Sequence, residues 1–481
     1  MNAALLLAVL SSVSYRVSDP DALSRLALGR YIWEHRGAPT SDPFTFAGPE
    51  ASWSDPEWLG DLALYGVFSI GSEPCLQLAV VLIACIGFAL SFVLAVELGS
   101  SALVALPFLL CTLATAGPRI SARNDVHLFW LLPLTALLSK RAAKSDVHCV
   151  LLAVVVWLWS QVHSSFVISG LIVGASCIEQ QAPRSRGLWM LLCAIPFLPF
   201  VGLSGVATYR QLIDHFMGAP IYRALLSEWM SPLSSDGWLA ILPLHAITLI
   251  GLLCMTLTRD RIRALPLTLF VLGAVLAYSS RRFLPMLAWA AVPGMAGHLT
   301  AVIARMSGRT RVGIAVCGLA VAFAYTGLTV RTARRRNAES VFARASSPEG
   351  ATRFIARNAP VGSRVFNTFD DGPWLMWFGS PGVRHYVDPR NNLGAAALVR
   401  YTEVLARPDE FDETSRQLSI NLALVPRDLS RTGRLAAHLA GARDWDLVYW
   451  DDWYVVFARR VEKNAALLAD HALRPTIAGQ L

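Results

Sequence analysis

The sequence has few charged residues, and they are unevenly distributed. Charged side chains make up 16% of the 481 residues, whereas an ordinary soluble domain carries about 25%. The deficit lies between Cys75 and Val330, where short charged runs separate long apolar stretches. After Val330, about a quarter of the residues are charged. This composition excludes a wholly soluble protein and places a boundary near Val330.

Cysteine and histidine patterns that bind metals are also missing. All eight cysteines lie in or beside apolar stretches, none follows Cys317, and no pair has CxxC spacing. This pattern excludes a disulfide framework and a zinc site of the usual spacing. No histidine-rich ligand spacing, internal repeat or low-complexity segment is present. We therefore expect neither a required metal nor a cofactor.

The net charge of +8 comes from basic residues that lie mostly in loops between apolar runs. That pattern orients helices in a membrane, whereas a nucleic-acid-binding protein concentrates its basic residues on one surface. We therefore expect membrane lipids, and no nucleic acid, among the partners.

Long apolar runs dominate the first 330 residues. Backbone groups cannot bond to water inside a bilayer, so such runs must be helical there. The sequence predicts an α-helical polytopic membrane domain, residues 1–330, with about eleven spans. They lie at about residues 2–17, 75–98, 101–117, 124–139, 147–161, 163–179, 187–203, 237–257, 262–280, 283–304 and 312–330. The first run lacks the basic segment and cleavage site of a signal peptide, so we interpret it as a short span.

Basic residues cluster in alternate loops, at 140–144, 184–186, 259–263 and 305–311. Cytoplasmic loops are the richer ones in Lys and Arg. These four loops face the same way only if the break at residues 161–164 and the span at 2–17 both exist. The N-terminus is then cytoplasmic, whereas the first loop (18–74) and the C-terminal domain lie outside. In this arrangement the basic run at 331–336 would lie outside, contrary to the rule that basic residues are cytoplasmic.

Residues 331–481 have the patterns of a soluble α/β domain. Pro348–Asn358 has helical spacing, and Arg364–Phe369 and Asn421–Pro426 have strand patterns. The segments 446–450 and 453–457 flank an Asp-Asp turn, which indicates a hairpin.

The first loop carries the most informative motifs. It begins with Asp19-Pro20-Asp21, continues as an amphipathic helix over residues 22–35, and ends with Asp55-Pro56-Glu57. The helix could lie flat in the membrane interface, with Tyr31 and Trp33 at headgroup depth.

This loop resembles the GT-C class of membrane glycosyltransferases, in particular the bacterial branch related to protein O-mannosyltransferases and the RgtA/B/C/D-like enzymes. The acidic pair after the first span, LALGRYIWEHRGAPTSDPFTF and WSDPEWL carry the resemblance, with weaker similarity in WSQVHSSF, SRRFLP, residues 367–377 and VDPR. It implies a bacterial plasma-membrane enzyme that takes a sugar from a polyprenyl-phosphate carrier. The sugar would be transferred, with inversion, to a glycan, lipid or protein acceptor on the outer face.

Inverting transfer needs a carboxylate to deprotonate the acceptor hydroxyl. The resemblance implies Asp19 as this base, with Asp21 as the second candidate. Alternatively, either aspartate caps the helix that starts near Ala22, since Asp is a favoured N-cap. Pro20 separates Asp19 from the helix, so capping fits Asp21 better.

The other candidate residues have structural alternatives as well. Asp55 and Glu57 would orient an acceptor or hold a cation, or else begin a helix. His163 would contact a sugar, or pack at a helix end. Arginines near span ends suit a carrier phosphate because a guanidinium bonds phosphate through two parallel N–H groups, although such residues also contact lipid headgroups. They are Arg119, Arg123, Arg281 and Arg282.

A structural pair between Asp388 and Arg390 fits the tail better than a catalytic role. For the whole chain, two alternatives to a glycosyltransferase stay open: a lipid-linked glycan transporter or flippase, and a non-catalytic envelope scaffold. Transporters often have internal repeats and discontinuous helices near the membrane centre. The sequence shows neither feature.

Overall fold

The structure is a computed structural model that describes most of the chain. The described residues are 17, 19–46, 55–116, 119–142, 145–180, 186–203, 205–234, 242–336, 340–344, 346–390, 393–427 and 434–473. The predicted span at 2–17 lies outside them, apart from Val17. The chain forms two compact units. The first consists of Met1–Ser18, Val67–Tyr209 and Tyr222–Ala338, and the second of Asp19–Gly66, Arg210–Ile221 and Glu339–Leu481.

Helices occupy most of the first unit, and each predicted apolar run after residue 74 contains one. Their bounds are α2 (Trp58–Glu97), α3 (Ala102–Ala116), α4 (Leu128–Ala142), α5 (Asp146–Val162), α6 (Ile168–Glu179), α7 (Arg186–Ala194), α8 (Gly205–Leu225), α9 (Leu242–Leu257), α10 (Ala264–Ser279), α11 (Val292–Ile303) and α12 (Gly308–Arg336). The start of α2 and the middle of α8 belong to the second unit. The preceding helix in the described chain is α1 (Asp21–His35).

A kink divides α2 where the predicted span begins. Gly71 and Ser72 leave helical geometry, and Ser72 has a φ of 54°. Pro74 follows, and a proline inside a helix removes one hydrogen bond and clashes with the preceding turn. The apolar segment after this kink is the predicted span at 75–98.

Two described helices, Trp58–Glu97 and Gly308–Leu328, are long and apolar enough to cross a membrane. Arg186–Phe200 and Gly205–Leu225 meet at 98° and count as a third if they form one broken span. Six further apolar helices have 10–17 residues. The structure therefore contains segments able to span a membrane, and the number of about eleven stays a prediction.

The predicted break near Gln161 is confirmed. Helix α5 ends at Val162, His163 has extended backbone geometry, and a 3-10 turn at Ser164–Val167 leads into α6. Helix α8 was not predicted, because Arg210, Asp214 and Arg223 interrupt its apolar pattern.

The described helix ends beside the basic loops meet at one end of the first unit. The contacts that join them are Arg141 with Glu97, Gln180 with the Ser139 carbonyl (3.1 Å), Glu179 with the Leu265 N–H (2.6 Å), Arg263 with the Leu98 carbonyl (3.3 Å) and Arg305 with the Leu257 carbonyl (3.3 Å). These contacts support the expectation that the basic loops face the same way. The side of the membrane that this end faces stays a prediction.

The second unit contains a five-stranded sheet in the order β2-β1-β3-β5-β4. The strands are β1 (Arg364–Phe366), β2 (Arg384–His385), β3 (Leu422–Pro426), β4 (Trp445–Trp450) and β5 (Tyr454–Arg459). The three strands at β1, β2 and β3 are parallel, whereas β5 is antiparallel to both β3 and β4. The predicted strands and the hairpin are confirmed, but β2 was missed because it has only two residues.

Helices surround this sheet. They are α13 (Glu349–Asn358), α14 (Gly372–Phe378), α15 (Ala395–Ala406), α16 (Asp409–Gln417), α17 (Leu435–Gly441) and α18 (Ala465–His471). Apolar residues of the strands and of α13 form one buried core, which includes Ile355, Val365, Leu424 and Val456. The predicted helix at Pro348–Asn358 is therefore confirmed as α13.

The first loop is part of this second unit. Thr45 pairs with His385 of β2, and the His385 N–H donates to the Phe44 carbonyl at 2.8 Å. Helix α1 packs its Ala27 and Leu28 against Met376 of α14. The apolar face of α1 is thus covered by protein and is not left open for a membrane interface, although Trp33 is 66% exposed. The predicted boundary at residue 330 had grouped this loop with the membrane domain.

Candidate functional site

Three of the four predicted arginines converge on Glu228. The Glu228 Oε2 accepts hydrogen bonds from Arg119 Nη1 at 2.9 Å and Arg123 Nη1 at 3.1 Å. The Arg282 Nη1 lies 3.7 Å from Glu228 Oε1. Arg119 also donates to Asp125 Oδ2 at 3.3 Å. We call these five residues the arginine cluster.

Backbone contacts hold Glu228 against the segment that carries Arg282. The Glu228 carbonyl accepts from the Arg282 N–H at 3.1 Å and from the Ser280 hydroxyl at 2.7 Å. One residue further on, the Arg281 N–H donates to the Met230 carbonyl at 3.0 Å. These bonds tie the chain after α8 to the 3-10 turn at Arg281–Phe283, so the Arg282 side chain is fixed beside Glu228.

A π-helical turn follows Arg282 and leads into α11. It spans Leu287–Ala291, and such turns are frequent at functional sites. The Arg282 guanidinium also stacks over the Trp229 ring, 4.7 Å from its centre. A cation over an aromatic face is attracted by the ring electrons, which adds to the ion pair.

The cluster brings charges of both signs together. Three guanidinium groups face two carboxylates, those of Glu228 and Asp125. Burial raises the pKa of Glu228, but Arg282, Arg123 and Arg119 outweigh burial and hold this pKa well below its usual range. Glu228 is therefore ionised at neutral pH and attracts all three guanidinium groups.

The cluster lies at the end of the first unit opposite the basic loops. Helix α4 begins three residues after Asp125 and ends at Ala142, beside the contacts of Arg141 and Ser139. A 15-residue helix is about 22 Å long, at about 1.5 Å per residue. The predicted separation of boundary arginines from the basic loops is thus seen in the structure.

His163 belongs to the same neighbourhood. It directly follows α5, which contacts the 3-10 turn at Asn124–His127 that carries Asp125. The His163 Nδ1 bonds with the Ser165 hydroxyl at 2.7 Å, and Trp159 Nε1 donates to the same hydroxyl at 3.0 Å. The ring is therefore held in one orientation by residues that begin the turn before α6.

Sequence reasoning missed Glu228 and Asp125. Glu228 is the only glutamate between Glu179 and Glu339, and a rare acid in a stretch with arginines at span ends is a signal for pairing. Arg281 is not joined to Glu228: in the described part of the chain its side chain forms no ion pair. The structure therefore separates Arg282 from Arg281, which the sequence had treated alike.

In the second unit, Asp19 begins α1 with a capping bond. Its Oδ1 accepts from the Asp21 N–H at 3.1 Å, and its carbonyl accepts from the Ala22 N–H at 3.1 Å. The intervening Pro20 thus does not keep Asp19 from capping, contrary to expectation. A carboxylate has about four lone-pair positions, so one capping bond is compatible with further roles.

Asp55 and Glu57 lie in a buried ionic group around Arg25. Arg25 Nη1 is 2.9 Å from Glu57 Oε2 and 3.4 Å from Asp61 Oδ2. Asp55 Oδ1 accepts from the Glu57 N–H at 3.0 Å, the arrangement of a helix start. Burial raises the pKa of Asp55 above its ordinary value, although Arg25 opposes this rise. The predicted structural alternative for Asp55 is therefore seen.

Close packing holds α1 against α2 near this group. A Cβ on Gly29 would lie 2.2 Å from the Asp61 carbonyl oxygen, so only glycine allows this approach. Arg25 and Asp61 were missed from the sequence because their pairing joins residues 36 positions apart.

The predicted pair of Asp388 and Arg390 is confirmed. Arg390 Nε and Nη2 donate to the two Asp388 oxygens at 2.9 and 2.7 Å, and Nη2 also reaches Asp42 Oδ2 at 3.0 Å. His385 Nε2 lies 2.8 Å from Asp388 Oδ2. This buried network joins the first loop to the sheet. Among the described residues, no three His, Cys, Asp or Glu side chains are arranged to hold a metal ion.

No protein-family model and no curated protein matches the sequence. Solved structures do match. The archaeal oligosaccharyltransferase AglB from Archaeoglobus fulgidus, in complex with an inhibitory peptide and a dolichol-phosphate, has 13% identity and a TM-score of 0.59 over 95% of this chain and 74% of its own. ArnT from Cupriavidus metallidurans, bound to undecaprenyl phosphate, has 15% identity and a TM-score of 0.53 over 97% of each chain.

The arabinofuranosyltransferase AftD from Mycobacteria has 16% identity and a TM-score of 0.55, over 96% of this chain and 40% of its own. All three are GT-C glycosyltransferases. At such low identities the likeness concerns the fold. The chain thus has the GT-C fold over nearly its whole length, and the fold implied by the first-loop motifs is confirmed.

Proposed function

We propose that this chain is a membrane glycosyltransferase of the GT-C type. It takes a sugar from a polyprenyl-phosphate carrier and transfers it, with inversion, to a glycan, lipid or protein of the cell envelope. The observation that carries the proposal is the convergence of three arginines in the arginine cluster, in a chain with the GT-C fold. AglB and ArnT, which share that fold, were solved with dolichol-phosphate and undecaprenyl phosphate.

Arg119, Arg123 and Arg282 hold the carrier phosphate in this proposal, with Arg281 as a nearby contributor. Guanidinium groups donate two parallel hydrogen bonds to phosphate oxygens. Arg119 Nε is buried and has no hydrogen-bond partner among the described residues, so its N–H group is available to donate to a phosphate oxygen. His163, which lies close to Asp125, contacts the sugar or the acceptor.

Asp19 is the general base in this proposal, and Asp21 is the second candidate. The base removes the acceptor proton while the carrier phosphate leaves, which contributes a factor of about 10² to 10⁴ in rate. Asp55 and Glu57 act indirectly. Their group around Arg25 fixes α1, which begins two residues after Asp19.

The same proposal sets the location of the enzyme. The chain is a multi-pass protein of a bacterial plasma membrane, with a cytoplasmic N-terminus. The first loop (18–74) and the C-terminal domain (331–481) lie on the outer face, where lipid-linked sugars meet envelope acceptors. The clustering of basic loops at one end of the first unit supports this orientation.

The test is sugar transfer by detergent-purified protein from synthetic polyprenyl-phosphate sugars to an envelope extract. We expect transfer from the lipid-linked donor and none from the matching nucleotide sugar. Movement of intact donor across a vesicle membrane without transfer would favour the flippase. No transfer and no movement with a full panel of donors would favour the scaffold, and either result would refute the proposal.

A further inference from the structure

The arginine cluster includes two carboxylates, and the more exposed of them is that of Glu228. Glu228 lies at its centre, and its side chain is 28% exposed, more than those of the arginines that surround it. A ligand phosphate that reaches these arginines must therefore bind beside Glu228, not in an empty ring of cations.

We propose that Glu228 determines the charge of the phosphate that the site accepts, selecting a singly charged phosphodiester over phosphates of higher charge. This inference rests on the proposed function. A sugar linked to a polyprenyl phosphate is such a phosphodiester. Glu228 is here a specificity-determining residue that repels a second negative charge.

Donors for a second anion remain beside Glu228. Within the described residues, Arg119 Nε has no acceptor. The Arg282 side chain stacks on Trp229 and reaches Glu228 Oε1 only at 3.7 Å, beyond hydrogen-bonding distance. Arg119 and Arg282 flank Glu228, so a phosphate group that bonds to both would lie next to its carboxylate.

The charge of the ligand phosphate decides how strongly Glu228 repels it. A phosphodiester brings a single negative charge beside the Glu228 carboxylate. A phosphate monoester carries about −1.5 to −2 at pH 7 and a diphosphate carries more, so each adds a charge that Glu228 repels. Glu228 stays ionised because the guanidinium groups outweigh its burial and lower its pKa. The repulsion therefore persists throughout the neutral range.

Three ligands with the same chain separate this effect from general affinity: farnesyl methyl phosphate, farnesyl phosphate and farnesyl diphosphate. Their binding to detergent-purified protein is measured for the wild type, Glu228→Gln and Glu228→Asp. The Gln variant keeps the size of the side chain without its charge, whereas the Asp variant keeps the charge. Melting temperature serves as the folding control.

We expect Glu228→Gln to raise the affinity for the diphosphate, relative to the methyl diester, by about tenfold or more. Glu228→Asp should keep the wild-type ratio. An unchanged ratio in Glu228→Gln would overturn the inference and leave the proposed function intact, since transfer is measured separately. The wild type gives a second test if the Gln variant does not fold: tenfold tighter binding of the diphosphate than of the diester would also overturn it. If the wild type binds none of the three ligands, the phosphate site itself is refuted.

Discussion

Replacing Arg390 with leucine should destabilise the second unit strongly. Arg390 is nearly fully buried, and its Nε and Nη2 atoms donate three hydrogen bonds of 2.7 to 3.0 Å to Asp388 and Asp42. Leucine fills part of the space but leaves both carboxylates without their cation. Removing one partner of a buried ion pair typically costs about 3–5 kcal/mol, because the remaining charge has no compensation.

The expected loss is large enough to measure by thermal denaturation. For a domain of about 150–250 residues, 1 kcal/mol corresponds to about 2–4 °C, so the apparent melting temperature in detergent should fall by about 10 °C. Arg390→Lys keeps the charge but not the two parallel hydrogen bonds, and should give an intermediate loss. His385 also contacts Asp388 and moderates the effect.

Arg460 provides a matched control. It bonds both Asp446 oxygens at 2.7 Å, a geometry as good as that of Arg390, but its side chain is 59% exposed. Exposed ion pairs contribute little, so Arg460→Leu should leave the melting temperature nearly unchanged. Equal losses in Arg390→Leu and Arg460→Leu would refute the reasoning, because burial would then not decide the cost.

The pH dependence supplies a further check on the same network. Burial raises the pKa of Asp388, but Arg390 and His385 outweigh it and hold this pKa well below its ordinary range. A group with a lowered pKa stabilises the fold above its ordinary pKa of about 4, and this contribution is lost as pH falls through the folded-state pKa. The difference in melting temperature between wild type and Arg390→Leu should therefore shrink below about pH 4.

Two other predictions concern the first unit and the orientation of the chain. Arg282→Ala should weaken carrier binding more than Arg281→Ala, because the Arg282 side chain contacts Glu228 and Trp229, whereas in the described structure that of Arg281 forms no ion pair. Arg282→Lys should rescue binding only in part. Unchanged carrier affinity in both Ala variants would remove the two arginines from the site. A reporter active only outside the cytoplasm should be active after Leu481 and silent in the loop at 140–144, and a silent C-terminal fusion would overturn the topology.

Local patterns predicted much of the fold. The hairpin at 446–457 and the helix at 349–358 follow from periodicity, and the break after Gln161 follows from the polar residues within an apolar run. Helix α8 was missed because charged residues at helical spacing hide its apolar pattern. The pairing of residues 44–46 with β2 was also missed, since backbone pairing across more than 300 residues leaves no local signal.

The candidate site was likewise predicted only in part from local patterns. Arg119, Arg123 and Arg282 were predicted as a group because arginines at span ends are costly and usually face an interior. Their common partner, Glu228, lies 105 residues beyond Arg123, and only the fold brings them together. Asp19 was correctly placed before α1, but its capping bond was not expected, because a side chain can reach across a proline to the next N–H.

The proposed chemistry depends most directly on Asp19, and the measurement is the initial rate of sugar transfer from a synthetic polyprenyl-phosphate donor. Asp19→Asn keeps an oxygen to accept from the Asp21 N–H and caps a helix as well as Asp does, but it cannot take up the acceptor proton. Turnover should fall by about 10² or more, with carrier binding and melting temperature preserved. Asp21→Asn is the matched control and should retain near-normal turnover. Full activity in Asp19→Asn would contradict its role as the base, and loss in Asp21→Asn alone would move the base to Asp21.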